Sequence, residues 1–164
     1  MDMNAEHVNA FIEATKETFK SMCNISFYRN GSIKKISGEI VDADELMAIC
    51  GLTGDIKGAV MLTAPLVTGR QIVSSFLMEE IKEVNCDLMD GWGEIVNILA
   101  GSAAAKITDF KMNLALPSVV VGRNAKFYAK AGTPFVMVPM IIEKMGTFNL
   151  GVSMEIPDIK VSNK

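Results

Sequence analysis

Three side chains in one stretch of this chain have the types and the spacing to work on a partner: Asp90, Glu94 and Asn97, in Asp-Gly-Trp-Gly-Glu-Ile-Val-Asn. Each residue advances about 100° around a helix, so a carboxylate and a carboxamide stand one turn apart there, with a second carboxylate one turn earlier. Gly101, Ala104, Ala105 and Thr108 continue the same side with very short side chains. An outward helix face is ordinarily long and solvated, and a glycine such as Gly101 costs roughly 1 kcal/mol against alanine in a helix interior. The row therefore serves close approach. What approaches is either a neighbouring element of the same protein, with Glu94 and Asn97 solvated at the helix edge, or a second molecule.

Other chemistries are poorly supplied. His7 is the sole histidine, which excludes multi-histidine metal sites and would force Ser-His or Cys-His catalysis through a residue next to the N-terminus. Cys23, Cys50 and Cys86 are odd in number and far apart, against a disulfide framework and against a thiolate metal site. They read as buried or half-buried thiols of a reducing compartment. The formal net charge is −3 and no basic cluster exceeds Lys34-Lys35, so phosphate-backbone binding lacks its electrostatic footprint. The longest apolar run, Phe135 to Ile142, contains Pro139 and is too short to span a membrane. The acidic N-terminus lacks the features of a signal peptide, so a cytoplasmic location is expected. Most of the twelve methionines stand in apolar runs and read as adaptable core filling rather than a recognition surface.

The elements that must position the three side chains follow from periodicity. Asp90 to Phe110 reads as a helix seated by Trp92, Val96, Leu99, Ala103, Ile107 and Phe110. Ala5 to Cys23 has a helical period with Asn4 as N-cap, and Ser26 to Asp42 reads as loop and one short edge strand. Asp44–Leu52 and Gly58–Ala64 read as two strands joined through Thr53-Gly54-Asp55-Ile56-Lys57. Pro65 is placed as a first helical residue of a second helix reaching about Glu79. After Pro117 come strands at Val119–Val121, Phe127–Lys130, Phe135–Glu143 and 147–156. The last alternates, with Phe148, Leu150, Val152, Met154 and Ile156 on a buried side and Thr147, Asn149, Gly151, Ser153 and Glu155 on a wet one. The expected architecture is α+β, one domain over residues 1–164, with about three long helices on one face of an antiparallel sheet of about six strands.

At Asp90-x-x-x-Glu94-x-x-Asn97, followed by Ala100-Gly101, the sequence resembles the CheC/CheX/FliY family of response-regulator phosphatases of bacterial chemotaxis. Gly93-Glu94-Ile95-Val96-Asn97-Ile98-Leu99-Ala100-Gly101 looks like the family's signature helix. Gly51-Leu52-Thr53-Gly54-Asp55-Ile56-Lys57-Gly58 looks like its hairpin, and Pro117-Ser118-Val119-Val120-Val121-Gly122-Arg123 like its first strand after the helix. The order matches the single-site CheX branch best.

The resemblance implies a homodimer joined through strands and a protein substrate, the phosphorylated receiver domain of CheY or a similar response regulator. It assigns catalysis to Glu94 and Asn97: the glutamate contacts the receiver's active-site lysine, and the asparagine aligns the water that attacks the aspartyl phosphate. Asp90, Gly101, Ala104 and Ala105 would form the docking surface. No cofactor is expected beyond the Mg2+ that the receiver brings. An aspartyl phosphate loses a carboxylate, so no strong general acid is needed, and placing one water in line is a task an amide performs in GTPases. The pattern also occurs at Asp2, Glu6 and Asn9, a candidate second site. There Glu13, Lys16 and Glu17 replace the small residues and would hold a partner away. The alternative is a receiver-binding or dimerisation module related to flagellar switch proteins, without catalysis.

Overall fold

The computed structural model describes residues 3–156. Helix α1 spans Ala5–Cys23, and its N-terminus is closed by a reciprocal cap. The His7 amide donates to Asn4 Oδ1 at 3.0 Å and the Asn4 amide donates to His7 Nδ1 at 3.3 Å. Two otherwise unpaired backbone donors are satisfied this way. The same imidazole, buried, meets the Phe110 ring edge-on at 5.7 Å. The sole histidine is thus occupied in holding a helix end.

Three short strands follow, β1 (Tyr28–Arg29), β2 (Lys34–Ile36) and β3 (Glu39–Asp42), then the long hairpin β4 (Leu46–Gly54) and β5 (Lys57–Ala64). Helix α2 spans Leu66–Leu77, helix α3 Cys86–Lys106, and the chain ends in β6 (Met112–Leu114), β7 (Ser118–Val121), β8 (Lys126–Ala129), β9 (Phe135–Ile142) and β10 (Gly146–Glu155). The main sheet is antiparallel in the order β1-β9-β10-β5-β4-β6, with β2 also on β9 and β7 also on β4, which makes eight strands. Strands β3 and β8 form a separate pair.

The sheet is larger than the six strands expected. The additional pieces are two or three residues long, too short to show a two-residue period. They exist because a neighbouring edge supplies their hydrogen bonds. Thus the stretch from Ser26 to Asp42, expected as loop and one edge strand, contributes three strands, and β6 has no counterpart among the expected elements. Pro65 is the residue before α2 rather than its first, with ψ near 141°. The free amide of Leu66 donates to Glu45 Oε2 at 3.0 Å, a carboxylate at a helix N-terminus.

Alternate residues of the central strands share one apolar core with all three helices. Leu46, Ala48, Cys50 and Leu52 of β4, Val60 and Leu62 of β5, and Phe148, Leu150 and Val152 of β10 meet Phe11 and Phe19 of α1, Ile72 and Val73 of α2, and Trp92, Val96 and Leu99 of α3. The other side of β10 is wet as expected only at its ends, Thr147 and Glu155, with Asn149 half-buried. Gly151 and Ser153 are buried; at Gly151, Met61 and Met137 reach across to within 3.1 and 2.7 Å of where a Cβ would stand. The hairpin turn is closed by Gly54 at φ +109°, where a Cβ would collide with the Lys111 carbonyl. Only glycine fits there.

Burial pushes the Cys23 thiol up to about 11 and raises Cys50 as well, whereas Cys86 is exposed. Thiolates are the reactive species. A thiol-exchange reagent at pH 8 should therefore titrate Cys86 alone in the native protein and all three cysteines in denaturant; rapid labelling of a second native thiol would contradict the packing of α1 or β4. Among the described residues, no helix is long and apolar enough to cross a membrane.

Candidate functional site

Helix α3 begins four residues before the start expected and ends four before the expected finish. Asn85 caps it, accepting from the Leu88 amide at 2.9 Å, and the chain turns extended at Ile107 (ψ 94°). Ile107 stays buried although outside the helix, and Phe110 leaves the helix to pack against His7. Trp92, Ile95, Val96, Leu99, Ala100 and Ala103 are fully buried. The helix is therefore fixed by its inner side, and its outer side is set by default.

That outer side is a ridge. Asp90 and Glu94 are exposed and Asn97 is half-buried. Within the described protein, none of these three side chains has a hydrogen-bonding or ion-pairing partner. Gly101 and Ala104 are half-buried and Ala105 is exposed, so the sequence-predicted residues stand on one continuous face.

Two glycines that periodicity did not single out frame this ridge. A Cβ on Gly91 would stand 2.7 Å from Val73 Cγ1 and 3.7 Å from Leu77 Cδ1, so the end of α2 is pressed against one flank. A Cβ on Gly93 would stand 3.1 Å from Val119 Cγ2 and 3.8 Å from Pro117 Cβ, so the connection into β7 is pressed against the other. Gly93, Asn97 and Gly101 follow at helical four-residue intervals on that second flank, and the Gly101 position faces Leu114. Asn97 therefore lies beside the 115–117 connection. The signal was present in the sequence: two glycines around Trp92 in mid-helix cost about 2 kcal/mol together, and close packing by two neighbours is the return.

The small residues divide into two kinds. Gly91 and Gly93 lie under elements of the same chain, as the internal-packing reading would have it. Gly101 does not, because its nearest neighbour, Leu114 Cδ1, would be 3.7 Å from an added Cβ, an ordinary contact. Gly101→Ala should accordingly raise stability by up to about 1 kcal/mol, measurable as a higher urea midpoint. A destabilised variant would show that the space is taken internally.

The second motif is held apart. Glu6 and Asn9 are exposed on α1; Asp2 lies outside the described residues. Helix α1 packs antiparallel to α3, His7 against Phe110 at one end and Glu17 Oε1 against Lys106 Nζ at 2.8 Å towards the other. Glu6 and Asn9 thus sit near the finish of α3, several turns from Glu94. Glu17 is also 3.5 Å from Ser102 Oγ, and Glu13 pairs with Lys16.

A cavity of about 640 Å³ lies on the other side of the sheet, between Lys34, Asp42, Asp44, Met61 and Phe127. Its Asp44 is internally satisfied: Oδ2 accepts from Thr63 Oγ1 at 2.6 Å and from Asn149 Nδ2 at 2.9 Å. None of the residues lining the cavity belongs to α3, whose outer side carries the exposed Asp90, Glu94 and Ala105. No group of His, Cys, Asp and Glu among the described residues is arranged to hold a metal ion.

Comparison with known proteins agrees with this architecture. The CheY-P phosphatase CheX of Thermotoga maritima is 26% identical over 156 residues, spanning 93% of this chain and 98% of that one. The chemotaxis protein CheX of Desulfovibrio desulfuricans superposes with a TM-score of 0.81 at 23% identity, over 92% of this chain and 99% of the other. The CheX of a CheX-CheY-BeF3-Mg2+ complex from Borrelia burgdorferi superposes with a TM-score of 0.75 at 16% identity, over 93% and 99%. The family model for the chemotaxis phosphatase CheX matches residues 46–140. That match runs from β4 through α3 into β9, more than half of the sequence, and the chain belongs to the CheX family.

Proposed function

We propose that this protein hydrolyses the aspartyl phosphate of a CheY-like response regulator. The observation that carries the reading is the outer side of α3: a carboxylate and a carboxamide one turn apart, their side chains unpartnered within the described protein, on a face continued by the short side chains of Gly101, Ala104 and Ala105. The family and the name of the Thermotoga relative support it, as does the Borrelia relative's complex with CheY.

Glu94 would dock on the receiver's active-site lysine, and Asn97 would enter beside the phosphoryl group. Its carboxamide accepts a hydrogen bond from a water and donates one, holding that water in line with the phosphorus. Attack forms the new P–O bond as the P–O bond to the aspartate breaks. Inorganic phosphate and a free carboxylate are released, with Mg2+ supplied by the receiver as part of the substrate. Positioning of this kind removes the entropy of finding the in-line geometry. Asp90, Gly101, Ala104 and Ala105 would line the contact. The reading includes the three helices as one layer over the apolar side of the sheet, a single domain, a cytoplasmic location, and a homodimer formed through strand edges such as those of β1 and β2. Glu6 and Asn9 form no second site in this scheme, because Glu13, Lys16 and Glu17 crowd their surroundings.

The test is phosphate release from a magnesium-loaded, phosphorylated receiver with and without the protein. Acceleration that saturates with receiver concentration is expected, and none would refute the reading. In the same assay Glu94→Ala should raise KM by about tenfold or more while changing kcat less, the signature of a lost docking contact.

A further inference from the structure

Two apolar side chains bracket the ridge. Met78 is 91% exposed and Leu116 92%, above every other large hydrophobic residue of the described chain. Both sit on fixed backbone. Met78 closes α2 directly after Leu77, the residue pressed against the Gly91 flank of α3, and its amide donates to the Ser74 carbonyl. Leu116 lies in the connection pressed against the opposite flank, between Leu114, which faces Gly101, and Pro117, which faces Gly93. That connection is pinned by the Ala115 amide on the Gly51 carbonyl at 2.9 Å and by Cys50 Sγ on the Ala115 carbonyl at 3.2 Å.

The position of Met78 adds a second argument. Its φ is +54°, the left-handed helix end that glycine or asparagine occupies at least cost. A long apolar side chain there is unfavourable for the helix and for solvation alike. Leu116 is likewise unexplained by internal packing. The ridge between them offers one docking carboxylate, Glu94, and no large exposed apolar side chain. Interfaces draw their energy from a few apolar or aromatic anchors seated in pockets, and methionine adapts to irregular ones.

We propose that Met78 and Leu116 are the two apolar anchors that seat the phosphorylated receiver across α3, one on each flank of Glu94 and Asn97. The proposal rests on the phosphatase reading and names the partner's chemistry: a receiver whose phosphoryl pocket is rimmed on two sides by apolar surface. The anchors would fix the direction in which Asn97 enters, while Glu94 fixes its depth.

Met78→Gly and Leu116→Ser test this, with Val67→Ser, 56% exposed at the opposite end of α2, as control. Met78→Gly should leave the urea midpoint unchanged or higher and Leu116→Ser should leave it unchanged, so a misfolded variant is not the expected confusion. Each should raise KM for the phosphorylated receiver by roughly tenfold, the scale of an interface anchor, and the pair by more, with Val67→Ser unaltered. Wild-type acceleration together with wild-type KM in both variants would overturn the anchors and leave the phosphatase reading standing. Absence of acceleration by the wild type would overturn both.

Discussion

Replacing Asn97 by alanine should abolish the acceleration of phosphate release, lowering kcat for the phosphorylated receiver by about 100-fold or more, towards the receiver's unassisted rate. The magnitude follows from what is removed. Misplacing a reacting group by about an ångström costs on the order of 100-fold, and losing one aimed hydrogen-bond donor costs about 100- to 1,000-fold. Stability should hardly change, because Asn97 is half-buried without a partner inside the described protein and alanine is the better helix former. Binding should persist, since the docking contacts assigned to Glu94, Met78 and Leu116 remain. Asn97→Asp keeps the shape but loses the N–H donor and adds a negative charge beside a phosphoryl group, so it should be as inactive as alanine. Retention of more than about a tenth of the wild-type acceleration by either variant would remove Asn97 from the chemistry.

The second large effect is on the scaffold. Trp92→Ala should cost about 3–5 kcal/mol, the range for deleting a fully buried aromatic side chain. Trp92 has no exposed surface and sits among core residues from the sheet and the helices. That loss is a large share of the net stability of an ordinary domain, and for a chain of this size it corresponds to a fall in Tm of roughly 10 °C. The indole N–H makes no hydrogen bond within the described protein, so Trp92→Phe should be much milder. Thermal unfolding of the two variants would check this; equal losses would mean that a polar contact at the indole nitrogen, not volume, holds α3. Phosphatase activity of Trp92→Ala should fall with temperature before global unfolding, because the ridge is positioned only by the inner side of α3.

Much of this molecule is legible in the order of its amino acids. The helix carrying Glu94 and Asn97 declares itself because one side is continuously apolar and the other carries side chains too short for ordinary solvation. Asn4 marks the start of α1, and the long strands β4, β5, β9 and β10 show their bounds through glycines, prolines and alternation. These features depend on chain-local physics: rotation per residue, backbone freedom at glycine, and capping of free amides.

What local physics does not contain is which strands meet. Strands of two or three residues such as β1, β2 and β6 have no period of their own and form only where β9 or β4 offers an edge, which is why the sheet has eight strands rather than six. The covered middle of the far side of β10 has the same origin in part, since Met61 arrives from β5, a strand distant in sequence, while Met137 comes from the adjoining β9.

The site divides along the same line. Residue types and a helical period determined that Asp90, Glu94, Asn97 and Gly101 share a face, because a single helix relates them. That this face is flanked by Leu77-Met78 and by Leu116-Pro117, with Met78 exposed rather than core filling, was decided only by tertiary packing. The packing of Gly91 against Val73 and Leu77, and of Gly93 against Pro117 and Val119, is a contact between segments that no spacing along the chain encodes.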